Sequence, residues 1–144
     1  MKLDEKGYKA LHDREGLRLK PYLDTRGIPT IAMGNTFYEN GKKVTMLDKP
    51  ITKAEAERLG NVIADRFASE VTALIKSKVN QNQFNALVSI AYNIGINGFK
   101  TSSFLKLVNK NPDDPKIKEA IMLWVKNKEL IGRRKAEVSQ YFTK

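Results

Sequence analysis

The sequence predicts an α+β fold in which a small antiparallel sheet lobe near the N-terminus precedes a larger helical lobe, within one domain of residues 1–144. Three observations predict it. Residues 17–34 mix β-forming side chains with turn signals, and an apolar period of three to four residues sets in near residue 52 and recurs to the C-terminus. No internal repeat or low-complexity segment interrupts either pattern. The β lobe is expected at about 15–50 and the helical lobe at about 52–144, together with the N-terminal helix, with a long helix joining the two.

Leu3, Tyr8 and Leu11 fall near one face of a short helix that stops at Glu15-Gly16, where glycine can take the left-handed conformation of a helix end. Glu15 is thereby expected at a helix exit. Across 17–34, LRLKPYLDTRGIPTIAMG, the residues Tyr22, Ile28, Thr30 and Ile31 flank the turn signal DTRG, and Pro29 suits an edge strand, so the stretch reads as a hairpin. Residues 35–50, with Asn40-Gly41 as a turn signal, read as a third short strand or a loop leading out of the hairpin.

Thr52 and Glu55 have capping-box spacing, and Ala56, Leu59, Ile63, Phe67, Val71, Leu74 and Ile75 then recur helically to about residue 77. A second helix from about 82 carries Phe84, Leu87, Val88, Ala91 and Tyr92, too densely apolar for a solvated surface, and reads as the centre of the larger lobe's core. NIGING breaks it. Thr101 or Ser102 caps a helix through Val108, Asp114-Pro115 opens another through Val125, and a last amphipathic segment covers 133–142. Trp124 follows the helical spacing of Ile117, Ile121 and Val125 and reads as core.

Composition narrows the function. Lys and Arg number 26 against 16 Asp and Glu, a net charge of +10 that favours a polyanionic partner through long-range steering. The lysines, Lys42, Lys43, Lys76, Lys78, Lys106 and Lys110 among them, are dispersed, and no nucleic-acid-binding motif appears, which argues against a nucleic-acid site. With no cysteine and one histidine, His12, neither a zinc centre nor a Ser-His or Cys-His nucleophile is expected, and no cofactor is implied. No segment approaches the eighteen or so apolar residues of a membrane span, and the start, MKLDEKGYKALHDREG, is charged throughout; the expectation is synthesis as a cytosolic protein without stable membrane insertion.

Glycoside hydrolysis needs an acid to protonate the leaving oxygen and a second carboxylate on the opposite face of the sugar. Glu15 and Asp24 can fill these places, but their spacing alone does not separate them from solvated surface groups or, for Asp24, from a turn-forming role. The run EGLRLKPYLDTRGIPTIAMGNT strongly resembles the catalytic segment of phage-type lysozymes, glycoside hydrolase family 24, whose pattern is Glu, eight residues, Asp, five residues, Thr. Similarity extends over the chain: QNQFNALVSIAYNIGINGF looks like that family's central helix and turn, FKTSSFLK like its next helix start, and GRRKAE like its C-terminal basic motif.

The resemblance implies a lysozyme-like fold and a muramidase cutting the β-1,4 bond between N-acetylmuramic acid and N-acetylglucosamine of bacterial peptidoglycan; a monomer is expected. It implies Glu15 as proton donor, with Asp24 and Thr30 organising the attacking water. It further implies Thr36, Tyr92 and Ser102 along the sugar groove and Arg133 or Arg134 as the cation that holds Glu15. Residue chemistry leaves Tyr92 equally readable as core and Ser102 as a helix cap. An endolysin of this kind is made in the host cytoplasm, acts on the wall during lysis, and depends on a separate membrane-permeabilising protein.

The sequence departs from the family at TIGxGHT, where it reads Thr30-Ile-Ala-Met-Gly-Asn-Thr36, with Ala32 for a glycine and Asn35 for a histidine. If residue 32 sits at positive φ, alanine imposes strain of about 1 kcal/mol or more. Two other activities compete. A lytic transglycosylase forms a 1,6-anhydro sugar without water, which the presence of Asp24 and Thr30 disfavours, and a basic binding or membrane-disrupting protein would cleave nothing.

Overall fold

The computed structural model describes residues 1–144. The elements in chain order are α1 (Glu5–Glu15), β1 (Arg18–Leu23), β2 (Pro29–Ala32), α2 (Lys53–Leu74), α3 (Gln81–Ile94), α4 (Ile96–Thr101), α5 (Ser103–Lys110), α6 (Lys116–Met122) and α7 (Lys128–Tyr141). The fold is α+β, a two-stranded antiparallel sheet and seven helices. The chain divides into two compact units, one of Lys9–Asp65 and one of Met1–Tyr8 with Arg66–Lys144. Both crossings fall inside helices, α1 and α2, where the expected lobe edges lay near residues 15 and 51. The 35–50 stretch is a loop with isolated bridges, Ile31 to Asn35 and Phe37 to Lys43, and not a third strand.

In the unit of Lys9–Asp65, β1 and β2 pair with Tyr22 opposite Thr30, Leu23 opposite Pro29 and Arg18 opposite Ala32. Four steps along β1 therefore match two along β2, a bulge that bends the ribbon between Arg18 and Tyr22. Ile31, Ala32 and Val44 bury their side chains against Ala56 and Leu59 of α2, with Leu17, Tyr38 and Ile51 packed around them. A two-stranded hairpin alone is marginal in water, so this apolar contact is what stabilises it. Gly60 permits the approach: a Cβ there would stand 2.7 Å from Met33 Sδ.

In the other unit, α3 is buried without a break from Gln83 to Ala91, as its apolar density predicts. Asn80 and Gln83 form a capping box at its start, and Gly95, at φ 90°, ends it. Phe84, Leu87, Ile90, Phe99, Phe104 and Tyr141 are among the fully buried side chains of this core, Phe99 meeting Phe104 edge-on at 5.6 Å. The first residues of α1 belong here. Asp4 Oδ1 accepts from the Gly7 amide at 2.9 Å and from Asn85 Nδ2 at 2.8 Å, so one carboxylate both caps α1 and ties it to α3. The last two helices differ from expectation at their ends: α6 stops at Met122, three residues short of Val125, and α7 begins at Lys128, capped by the Asn127 side chain, five residues before 133.

Candidate active site

Glu15 is the last residue of α1, and Gly16 follows at φ 76°, the left-handed turn expected of a helix stop. The turn after β1 is built on Asp24. Its Oδ1 accepts from the amides of Arg26 at 2.8 Å and Ile28 at 2.9 Å, and its backbone bonds Ile28 and Gly27, so the side chain is locked by the turn it makes. The turn-forming and site-building readings of Asp24 are thus not rivals: two amides fix Oδ1, while Oδ2 accepts no hydrogen bond from the protein.

Thr30, buried at 2% exposure, donates its hydroxyl proton to the Ile28 carbonyl at 2.8 Å. With its proton committed, Thr30 Oγ1 presents lone pairs. Tyr22 faces Thr30 across the strands, and its ring lies under the Arg18 guanidinium at 4.5 Å. Burial pushes the Tyr22 phenol above its ordinary value; Arg18 opposes the shift, and the charges of Asp24 and Glu15 add to it. Both carboxylates therefore act on the same phenol. Glu15, Asp24 and Thr30 all belong to one compact unit, in which Tyr22 is the cross-strand partner of Thr30.

The altered segment after Thr30 has a definite geometry. Ala32 is the only non-glycine residue at positive φ, 59°, and is buried at 1% exposure. Glycine would adopt this backbone without strain, so alanine carries here a cost of about 1 kcal/mol. Asn35 replaces the family's histidine in a structural role. Its Nδ2 donates to the Leu59 carbonyl of α2 at 2.9 Å, its Oδ1 accepts from the Met33 amide at 3.3 Å, and its backbone exchanges two bonds with Ile31. The substitution pattern gave no hint of this helix tie. His12 meets Asn61 Oδ1 through Nε2 at 2.8 Å, as a partly buried residue.

The remaining anticipated residues lie as follows. Thr36 is half-buried and its carbonyl accepts from the Val44 amide. In the other unit Tyr92 is half-buried beside Phe67, ring centroids 5.1 Å apart. Ser102 is buried and caps α5: Oγ accepts from the Leu105 amide and donates to the Phe99 carbonyl. Arg134 is fully buried, with Nη1 on Glu137 at 2.5 Å, Nε on the Trp124 carbonyl at 2.9 Å and Nη2 on Asn93. Arg133 donates from Nε to Glu137 at 3.2 Å and from Nη2 to the Ser89 carbonyl at 3.0 Å. Glu137, absent from the sequence reading, is the shared anion; its signal was a lone acidic residue four positions after Arg133 on the amphipathic last helix.

The phage lysozyme family model matches residues 12–137. The chain belongs to the phage lysozyme family. Phage lysozymes similar to it include the endolysin of Salmonella phage P22, 34% identical over 95% of each chain. The endolysin of Bacillus phage PZA is 33% identical over 76% of this chain, which spans 42% of that protein's length. A crystal structure of a P22 lysozyme variant superposes with a TM-score of 0.89 at 32% identity, covering 99% of each chain. A phage lysozyme is a lysozyme-type hydrolase, and the α+β fold of this one is that of the family.

Proposed function

We propose that the protein is an endolysin that hydrolyses the β-1,4 bond between N-acetylmuramic acid and N-acetylglucosamine in peptidoglycan. Glu15 acts as general acid on the leaving oxygen. A water donates one hydrogen to Asp24 Oδ2 and the other to Thr30 Oγ1, and attacks the anomeric carbon with its lone pair, in a single displacement. The observation that carries this reading is the state of the two acceptors: Asp24 is clamped through one oxygen with the other open, and Thr30 has its proton committed to Ile28. Membership of the phage lysozyme family supports the substrate class.

Thr36, Tyr92 and Ser102 are proposed as groove residues; Ser102, with its hydroxyl engaged as a cap, has the least left to offer a sugar. Of the two arginines proposed to hold Glu15, Arg133 is favoured, because Arg134 already spends Nε, Nη1 and Nη2 on Trp124, Glu137 and Asn93. The protein serves host lysis, reaching the wall after a separate protein permeabilises the membrane. No helix is long and apolar enough to cross a membrane.

The test is clearing of a peptidoglycan suspension by wild type and Glu15→Gln, with the first-formed anomer followed by NMR. Wild type should clear the suspension and release the inverted anomer, and Glu15→Gln should not clear. Equal clearing by both removes Glu15 from the chemistry, and a retained anomer refutes single displacement.

A further inference from the structure

We infer that Tyr22 is a further residue of the active site, one whose phenolic O–H donates to an oxygen of the bound glycan beside the scissile bond. The inference rests on the proposed hydrolysis and adds to it a residue that the Glu, Asp, Thr pattern does not contain.

Four observations carry it. Tyr22 is the cross-strand partner of Thr30, so the two side chains leave the same face of the ribbon as neighbours. Asp24 stands one residue past the end of β1, at the mouth of the turn that joins Tyr22's strand to Thr30's, and its charge acts on the Tyr22 phenol. The Tyr22 ring is clamped: it is half-buried, and the Arg18 guanidinium, brought back by the bulge between the two residues, stacks on it at 4.5 Å. Yet its hydroxyl makes no hydrogen bond with any group of the protein. A ring stacked in place with its hydroxyl engaged by no protein group keeps that donor for a ligand acceptor.

The electrostatics agree with a donor role. Burial and the nearby Asp24 and Glu15 charges keep the phenol protonated well beyond neutral pH, against the pull of Arg18. The other side groups here, two carboxylates and a threonine whose proton is committed, are acceptors or an acid that gives its proton to the leaving group. A sugar hydroxyl or N-acetyl carbonyl oxygen therefore finds in Tyr22 the one neutral donor among them. A rigid donor lowers the entropy lost on binding.

Tyr22→Phe keeps the ring and its stacking and removes only the oxygen. The measurement has two arms. In wild type against Tyr22→Phe, kcat/KM on peptidoglycan should fall about tenfold, the effect of losing one hydrogen bond, with the thermal midpoint nearly unchanged. In the Glu15→Gln background, which is expected not to cut, titration calorimetry with a soluble GlcNAc-MurNAc tetrasaccharide should show about tenfold weaker binding once Tyr22 is also Phe. Equal kcat/KM and equal affinity with and without the hydroxyl overturn the inference while leaving the hydrolysis standing. A wild type that neither cuts peptidoglycan nor, as Glu15→Gln, binds the tetrasaccharide overturns both.

Discussion

Glu137 and Arg134 form an ion pair at 2.5 Å in which neither side chain reaches solvent. The same carboxylate accepts from Arg133 and from the Ser89 hydroxyl, and the Arg134 guanidinium also reaches Asn93 and the Trp124 carbonyl. Each charge is expensive to bury alone and is tolerated because the others are present.

Glu137→Ala should therefore leave Arg134 buried and uncompensated, at a cost of about 3–5 kcal/mol. Chemical denaturation measures it. The double variant Arg134→Met/Glu137→Leu, which removes both charges and fills the space, should be more stable than Glu137→Ala; if it is less stable, the pair and its hydrogen bonds stabilise the fold beyond mutual neutralisation.

At Ala32 the left-handed backbone decides the sign of substitution. Ala32→Gly relieves the strain but loses a buried methyl and loosens the unfolded chain, so the net change should stay within about 1 kcal/mol. Ala32→Val adds a β-branched side chain at φ 59° in a closed core and should destabilise by about 2 kcal/mol or more. Thermal melts of the two variants separate the effects, and a well-tolerated valine would mean that the backbone relaxes out of the left-handed region.

Gly7 sits inside α1, where helix propensity alone would favour alanine by up to about 1 kcal/mol. A Cβ there would stand 2.5 Å from Asn85 Oδ1 and 2.6 Å from its Cγ. Asn85 cannot turn aside freely, because its Nδ2 holds Asp4 and its Oδ1 accepts from Gln81. Gly7→Ala should accordingly cost about 1–3 kcal/mol by equilibrium denaturation, opposite in sign to propensity.

The Gly7 amide bonded to Asp4 holds that carboxyl below its ordinary value of 3.8, burial working against it and the Asn85 bond adding to it. A carboxyl with a depressed folded-state pKa contributes stability that is complete above the unfolded value and fades as pH falls through the lower folded one. Stability should thus decline below about pH 4, and Asp4→Asn should make that decline shallower in denaturation series run between about pH 5 and pH 3. An unchanged slope would assign the acid sensitivity to other carboxylates, such as Asp13 and Asp48, whose values are also lowered.

Much of this was legible in the sequence because it depends on local patterns. The helix exit at Glu15-Gly16, the DTRG turn and the buried α3 each follow from residues within a few positions of one another. The family pattern singled out Glu15, Asp24 and Thr30, which the structure gathers in one unit. What was not legible depends on distant partners. Asn35 reaches Leu59 across 24 positions and Arg133 reaches Ser89 across 44, and no local period reports such bonds. Residues 35–50 read as a third short strand or a loop, and the loop is what forms: Asn40-Gly41 makes a turn, with the Lys42 amide donating to Asn40, and only single bridges flank it.

The Asn35 bond to Leu59 also bears on how the sheet opens. The Leu59 carbonyl lies within α2, so the hairpin's closing segment and the first turns of that helix cannot separate without breaking one shared link. A two-stranded ribbon would ordinarily fray by itself on a fast timescale. Here the amides of Ile31 and Asn35, bonded to each other's carbonyls, are tied to the helix that anchors them, and their exchange with deuterium should follow the opening of α2.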